Sequence, residues 1–202
     1  MKNTVLLFAL LLVTSFSASA QFYTGVNAGW TSALLADEDS FNDQNRVSWS
    51  LGVDFGYKFS NRHAIQYSTV YVRKGESYEL SENELLNFKL NYLQQELMLR
   101  LSLPVDHEDF GVYWGIGPYA ALPIPDTHVS TLTIGEEERE IERLPTKTDF
   151  GIKSTFGVDF KYFAVDFQYQ IGLTNAFTVR DGRNQLFGLV FSLPIRFGDV
   201  VE

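Results

Sequence analysis

Residues 47–59 read VSWSLGVDFGYKF, and this stretch decides the fold. Its odd positions are apolar (Val47, Trp49, Leu51, Val53, Phe55, Tyr57, Phe59), and its even positions are small or polar (Ser48, Ser50, Gly52, Asp54, Gly56, Lys58). Successive side chains of a β-strand point to opposite faces, so this period of two gives one apolar face and one polar face. At about 3.3 Å per residue the stretch crosses a bilayer at a steep tilt. A soluble sheet alternates too, but its apolar face needs a core to cover it. The chain has too little apolar material for a second layer over every such face, so lipid is the expected cover.

The pattern recurs eight times, over residues 22–34, 47–59, 63–74, 89–103, 110–122, 148–161, 163–173 and 187–197. Trp30, Leu97, Trp114, Phe156, Phe167 and Phe191 are among the outward residues. Asn27, Gly52, Gln94, Gly115 and Gly117 are among the inward ones, and Gly115 and Gly117 are expected to face lumen tyrosines. The links alternate in length: 60–62, 104–109 and 161–162 are short, whereas 36–46, 75–88, 123–147 and 175–184 are long. Short turns at one end and long loops at the other predict an all-β, eight-stranded antiparallel up-and-down transmembrane β-barrel, both ends of the chain lying on the periplasmic side. Pro118 and Pro194 fall inside strands, where each removes a ladder donor, and a bulge or register break is expected at each. A lipocalin-like soluble barrel would invert the packing and crowd Trp49, Phe55, Trp114, Phe156, Phe167 and Phe191 into a lumen too small for them together with a ligand.

Residues 1–20 read as a cleavable secretory leader: Lys2, an apolar run from Val5 to Val13, then Ala18-Ser19-Ala20 before Gln21. Residues 21–202 form the expected single barrel domain, placed in a bacterial outer membrane. The chain has no cysteine, which removes disulfides, thiolate metal sites and a lipid-anchored N-terminus. Taking Lys2 from the 16 basic residues leaves 15 against 25 acidic ones, a balance of −10. Such acidity argues against nucleic acid as a partner.

Eight strands leave no aqueous channel. The inward charges Asp54, Lys58, Glu96, Arg100, Lys153, Asp159, Asp166 and Arg196 are therefore expected to pair into a hydrogen-bonded network within the lumen, with Arg100 or another base as the partner of Glu96. Acidic residues crowd the long loops: Asp37-Glu38-Asp39 and Asp43, then Glu76, Glu79, Glu82 and Glu84. The third loop carries Glu136-Glu137-Glu138, Glu140 and Glu142, interleaved with Arg139 and Arg143. Their spacing matches no defined calcium loop, so a solvated surface is expected. Residues 129–134 and 140–144 read as two arms of a protruding hairpin able to add to a partner's sheet. His128 and Ser130 share a strand face and form the one constellation open to a lipid A-modifying enzyme, with a loop glutamate as the third member. The preferred reading is non-enzymatic, with no catalytic, cofactor or metal residues. The expected partners are outer-membrane lipids and lipopolysaccharide, the outer-membrane assembly machinery during insertion, and an unknown surface or periplasmic protein.

The leader followed by Gln21, Gly25 and Gly29, the Tyr92-Leu93 pair, the run Trp114-Gly115-Ile116-Gly117-Pro118-Tyr119 and the closing stretch 189–197 together resemble the PorT-like small outer-membrane barrels of Bacteroidetes-type bacteria. The resemblance spans residues 21–202. It implies an eight-stranded outer-membrane barrel and no shared reaction, with a secretion-system accessory as one alternative role. Phe197 is followed by Gly198-Asp199-Val200-Val201-Glu202, whereas such barrels usually finish near a terminal aromatic.

Overall fold

The computed structural model describes residues 21–36, 43–81, 84–105, 110–125, 127–134, 137–143, 147–175 and 183–197; the expected leader and the stretch after Phe197 lie outside them. The strands are β1 (Gln21–Ala36), β2 (Asp43–Lys58), β3 (His63–Lys74), β4 (Glu76–Ser81), β5 (Glu84–Leu103), β6 (Phe110–Pro123), β7 (Val129–Ile134), β8 (Glu137–Arg143), β9 (Asp149–Phe160), β10 (Ala164–Gly172) and β11 (Arg183–Phe197). Eight of them close a ring in the order β1-β2-β3-β5-β6-β9-β10-β11, with β11 returning to β1. Every pairing in the ring is antiparallel. The expected barrel is therefore present.

Exposure follows the sequence parity. Trp30 is 63 % exposed, Phe167 60 % and Ile195 60 %, whereas the inward Tyr92 and Gln94 are both 0 % exposed. Burial is inverted relative to a soluble protein: apolar rings face out and amides and charges face in, as a lipid-embedded barrel requires. Outward aromatics stack toward the strand ends, with Trp49 5.2 Å from Tyr71 and Phe22 4.8 Å from Tyr57 between ring centroids. Such belts suit the two membrane–water boundaries.

Inside, three tyrosines lie over glycines of the neighbouring strand. Tyr23 pairs with Gly56, Tyr113 with Gly157 and Tyr119 with Gly151. A Cβ added at Gly56 would collide with the Tyr23 ring, and one at Gly157 with the Tyr113 ring. The glycines expected under tyrosines, Gly115 and Gly117, lie elsewhere: Gly115 faces Met98 and Arg100, and a Cβ at Gly117 would collide with the Leu97 carbonyl. The cause is register, because a ring covers the residue directly opposite on the next strand rather than one on its own strand.

The expected breaks at the prolines are absent. Pro194 faces Gly25 in an unshifted β1–β11 register, and Pro118 faces Ile152 in an unshifted β6–β9 register. Between β5 and β6 pairing lapses from Leu97 to Met98 and resumes in the same register at Leu99↔Ile116. The missing proline donor thus costs local ladder bonds without moving the strand.

The second long loop, read as a long link over 75–88, is largely strand. β5 begins at Glu84, five residues earlier than expected, and its Glu84–Lys89 portion rises beyond the ring by roughly 20 Å at strand spacing. β4 pairs with one edge of this portion, and also with Asp43, Gln44 and Asn45 of β2. β7 pairs with the other edge and β8 with β7. The chain passes from β3 to β4 through Gly75, whose φ of +121° suits glycine, and the Phe88 carbonyl there accepts Arg46 Nη1 at 2.8 Å. The first hairpin arm matches its expected bounds, while the second starts earlier, at Glu137.

The tyrosine–glycine contacts make a test. Gly157→Leu would collide with Tyr113 and Asp166, whereas a Cβ added at Gly111 would meet no heavy atom within 4 Å, which leaves room for a side chain. Urea unfolding in detergent should show Gly157→Leu destabilised by about 1–3 kcal/mol or more and Gly111→Leu near the parent. Equal stability of the two variants would contradict the packing described.

Candidate functional site

The lumen holds three tiers of polar side chains. Nearest the turn end, Arg100 Nη2 donates to Asp159 Oδ2 at 3.0 Å and Nη1 to Gln66 Oε1 at 2.8 Å and to the Tyr23 hydroxyl at 3.1 Å. Its guanidinium lies 3.5 Å from the Tyr113 ring centroid, and the Tyr113 hydroxyl donates to Asp166. In the middle, Lys153 Nζ pairs with Glu96 Oε2 at 2.7 Å, and Gln94 Nε2 bridges Glu96 Oε1 at 2.7 Å and Gln170 Oε1 at 3.0 Å. Beside them Asp54 Oδ1 accepts Asn27 Nδ2 at 2.8 Å and Ser68 Oγ at 2.7 Å.

The third tier, toward the loop end, centres on an ion pair absent from the expected set of inward charges. Lys74 Nζ lies 2.8 Å from Asp149 Oδ2, and both side chains are 0 % exposed. The same oxygen accepts Asn184 Nδ2 at 2.9 Å and the Tyr119 hydroxyl at 3.2 Å. The Lys74 ammonium also stands 4.3 Å from the Tyr119 ring centroid and 5.5 Å from that of Tyr92. Parity could have found the pair: even positions of 63–74 point inward, and Asp149 precedes the inward Gly151 by two. Both residues sit at strand ends, where the alternation is easily taken to have stopped.

Of the eight inward charges, four form ion pairs (Glu96 with Lys153, Arg100 with Asp159) and two more join the hydrogen-bonded network. Glu96 binds Lys153 rather than Arg100; Asp54 and Asp166 are held by neutral donors. Lys58 and Arg196 are not drawn into the network: they line a cavity at the turn end. Level with the third tier and just turn-ward of it, Ala33, Val72, Leu90, Ala121 and Leu186 form a buried apolar cluster against which Phe88 packs. The barrel is thus filled by side chains.

His128 and Ser130 are both buried, at 4 % and 5 % exposed. The His128 Nε2 hydrogen bonds the Asn91 carbonyl at 2.6 Å, its ring meets Tyr92 edge-on at 5.1 Å, and Asn91 Nδ2 donates to the Thr127 carbonyl at 3.0 Å. The Asn91 carbonyl also accepts the Ile124 amide at 3.1 Å. These bonds splice β7 onto β5 where the chain leaves β6. Its Nε2 on a backbone carbonyl makes the imidazole a fastener between β7 and β5, and among the described residues no carboxylate is hydrogen bonded to its Nδ1.

Two sets of measurements check this account. Lys74→Met strands a buried carboxylate and should cost about 3–5 kcal/mol in denaturant unfolding, whereas adding Asp149→Leu should restore much of the loss; planar-bilayer recordings of the parent should show no steady conductance. The second concerns pH. Burial lowers the His128 pKa from its ordinary 6.5, the bond to Asn91 offsetting part of the effect. A lowered histidine pKa means the unfolded form binds more protons, so docking of the β7 segment is fully stable above pH 6.5 and weakens as pH falls through that value. Hydrogen exchange, corrected for the intrinsic rate at each pH, should show the protection factors of the Thr131–Ile134 amides falling between about pH 7.5 and about pH 5, and His128→Gln should flatten that dependence.

Comparison with known proteins agrees with this architecture. A family model for the outer membrane protein beta-barrel domain matches residues 4–180. No curated protein matches the chain. Among solved structures, the outer membrane protein OprG from Pseudomonas aeruginosa aligns at 12% identity and TM-score 0.53, over 90% of this chain and 98% of its own. Neisserial surface protein A aligns at 14% identity and TM-score 0.50, over 85% and 96%. The outer membrane enzyme PagL aligns at 10% identity and TM-score 0.50, over 84% and 99%. At these identities the likeness is one of fold. With the ring, the inverted burial and the family match together, the chain belongs to the outer membrane protein β-barrel domain family and is a protein of the bacterial outer membrane.

Proposed function

We propose that this is a non-enzymatic barrel whose working part is the sheet raised above the ring by β4, β5, β7 and β8, and that this sheet holds a partner at the cell surface. The continuation of β5 beyond the ring carries the reading. Loops are cheap to leave irregular, yet here both edges of the rising strand are paired, which holds the extension rigid relative to the barrel. The strand pairing expected of residues 129–134 is not open to them, because β7 is already paired on both edges, and β8 forms the border of the sheet among the described residues.

β8 is a guarded edge. Glu137, Arg139 and Glu140 are exposed, and Ile141 is an extra residue opposite the Ser130–Thr131 step, a bulge. Charges and a bulge discourage another strand from adding to the edge. Recognition therefore falls to side chains: an acidic surface complementary to a basic protein face or to lipopolysaccharide bridged by cations. The Glu137–Arg139 pair at 2.8 Å is an exposed ion pair, worth little to stability, which leaves these side chains available.

The enzymatic reading gains no support from the buried, carbonyl-bound His128. The resemblance to PorT-like barrels rests on the quoted motifs, of which Tyr92 and Tyr119 flank the Lys74 ammonium. Export through the leader 1–20, leaving residues 21–202, belongs to the same proposal.

Replacing Ser130–Arg143 by a short Gly-Ser linker should leave the ring folded, judged by its heat-dependent gel shift, and abolish any partner captured by cross-linking in cells. His128→Ala should leave the lipid A profile unchanged. A lost lipid A modification in His128→Ala would make the enzyme reading the correct one. An unchanged partner set after the deletion would remove the surface-binding role.

A further inference from the structure

The two ends of the barrel differ. Toward the loop end the Lys74–Asp149 tier and the apolar cluster around it are fully buried, but at the turn end a cavity of about 650 Å3 opens between the ends of β1, β2, β3, β5, β6, β9 and β11. Short turns mark this end as the periplasmic one. Its wall carries Lys58 and Arg196, both inward by parity, and Lys161 from the β9–β10 turn. The one carboxylate among the described lining residues, Asp159, is engaged by Arg100 at 3.0 Å. Among the described residues Lys58 and Lys161 meet no carboxylate, and the Arg196 guanidinium reaches only the Phe160 carbonyl, at 3.4 Å. The chain as a whole carries a net charge of −9, so three cations with no carboxylate partner among the described residues around one cavity run against its composition.

The space is kept open. Gly111 lies on the cavity wall, and a Cβ there would meet no heavy atom within 4 Å, unlike the lumen glycines covered by tyrosines. A concave site with walls of low dielectric and one sign of charge concentrates counter-ions. A guanidinium flanked by ammonium groups matches the oxygens and double charge of phosphate.

We propose that this periplasmic vestibule binds a phosphate group, presented by a free phosphate compound or by a phospholipid headgroup of the inner leaflet, with Lys58 and Arg196 as its principal contacts. The site lies at the opposite end from the surface sheet and stands or falls independently of that sheet's role. Phe22, Phe110 and Phe160 also line it, so the polar cavity is continuous with the aromatic rim of the barrel at the leaflet surface.

The test uses the full mature chain, folded and selected by its heat-dependent gel shift. One arm titrates inorganic pyrophosphate calorimetrically against protein in detergent. The other asks, by native mass spectrometry, whether phosphatidic acid is retained from nanodiscs of phosphatidylcholine containing it. Saturable pyrophosphate binding supports the free-phosphate source, and selective retention of phosphatidic acid supports the headgroup. In either arm Lys58→Gln and Arg196→Gln should each weaken binding by about tenfold, the value of one charge-assisted contact. Gly111→Phe, which fills the cavity without removing a charge, should abolish it. Arg62→Gln, an exposed cation of the neighbouring turn outside the cavity, should change nothing. Absence of saturable binding in both arms would overturn the proposal. So would undiminished binding by Gly111→Phe, or a loss in Arg62→Gln as large as in Lys58→Gln. Should one lining variant fail to fold, the other two decide the outcome.

Discussion

In hydrocarbon, a backbone N–H or C=O without a protein partner costs several kcal/mol, and this penalty shapes the whole molecule. It leaves a strand-built span one solution, a ring without edges. Here β1 and β11 meet in continuous register from Phe22↔Phe197 to Ala36↔Arg183. The same penalty explains why two prolines leave the register intact. A shift at Pro194 would turn every residue beyond it to the wrong face, exposing lumen polar groups to lipid. Pro118 sacrifices a short piece of the β5–β6 ladder instead, and Gly117 beside it lets the Leu97 carbonyl come closer than any side chain would allow.

Closing the ring creates a second problem, because alternate residues are forced into a narrow interior shut off from water. The solution combines filling with satisfaction. Tyrosines cover glycines across strands, which fills volume, and their hydroxyls reach carboxylates: Tyr113 to Asp166 and Tyr119 to Asp149. Lys74 shows the cost of leaving water most plainly. A fully buried ammonium is tolerable only with its carboxylate at 2.8 Å and two aromatic faces beside it. Such a pair contributes little net stability against an apolar replacement, but it strongly penalises any arrangement that separates its members.

Much of this was legible because a period of two is a geometric consequence of the strand. The eight ring strands, the outward and inward sets and the short and long links all follow from it. What escaped was of two kinds. Pairwise partners depend on strand register, which alternation does not encode: Glu96 meets Lys153 and not Arg100, and tyrosines cover Gly56, Gly151 and Gly157. Strand continuation beyond the ring also escaped. In β4 and the first residues of β5 the alternation is diluted by glutamates at solvent-level positions, so residues 75–88 resemble a loop. His128 was legible as unusual, but its role was not, since its partner is a backbone carbonyl on another strand.

The division of labour between the two ends follows from the same geometry. Residues within the membrane are fully committed, outward to lipid and inward to one another, so they are poorly placed to meet a changing set of ligands. Freedom remains only where the ring stops. At the loop end β5 runs on past closure, and its new edges must be covered; β4 and β7 do so, and β8 then becomes the exposed border, guarded by charge and a bulge. At the turn end the chain reverses through short links, and the inward residues beyond the last tyrosine line a cavity. Lys58 and Arg196 occupy that cavity because the penalty for an unpaired charge falls once water returns. An extended, covered sheet on one side and an open, cationic vestibule on the other are thus two consequences of one closed ladder.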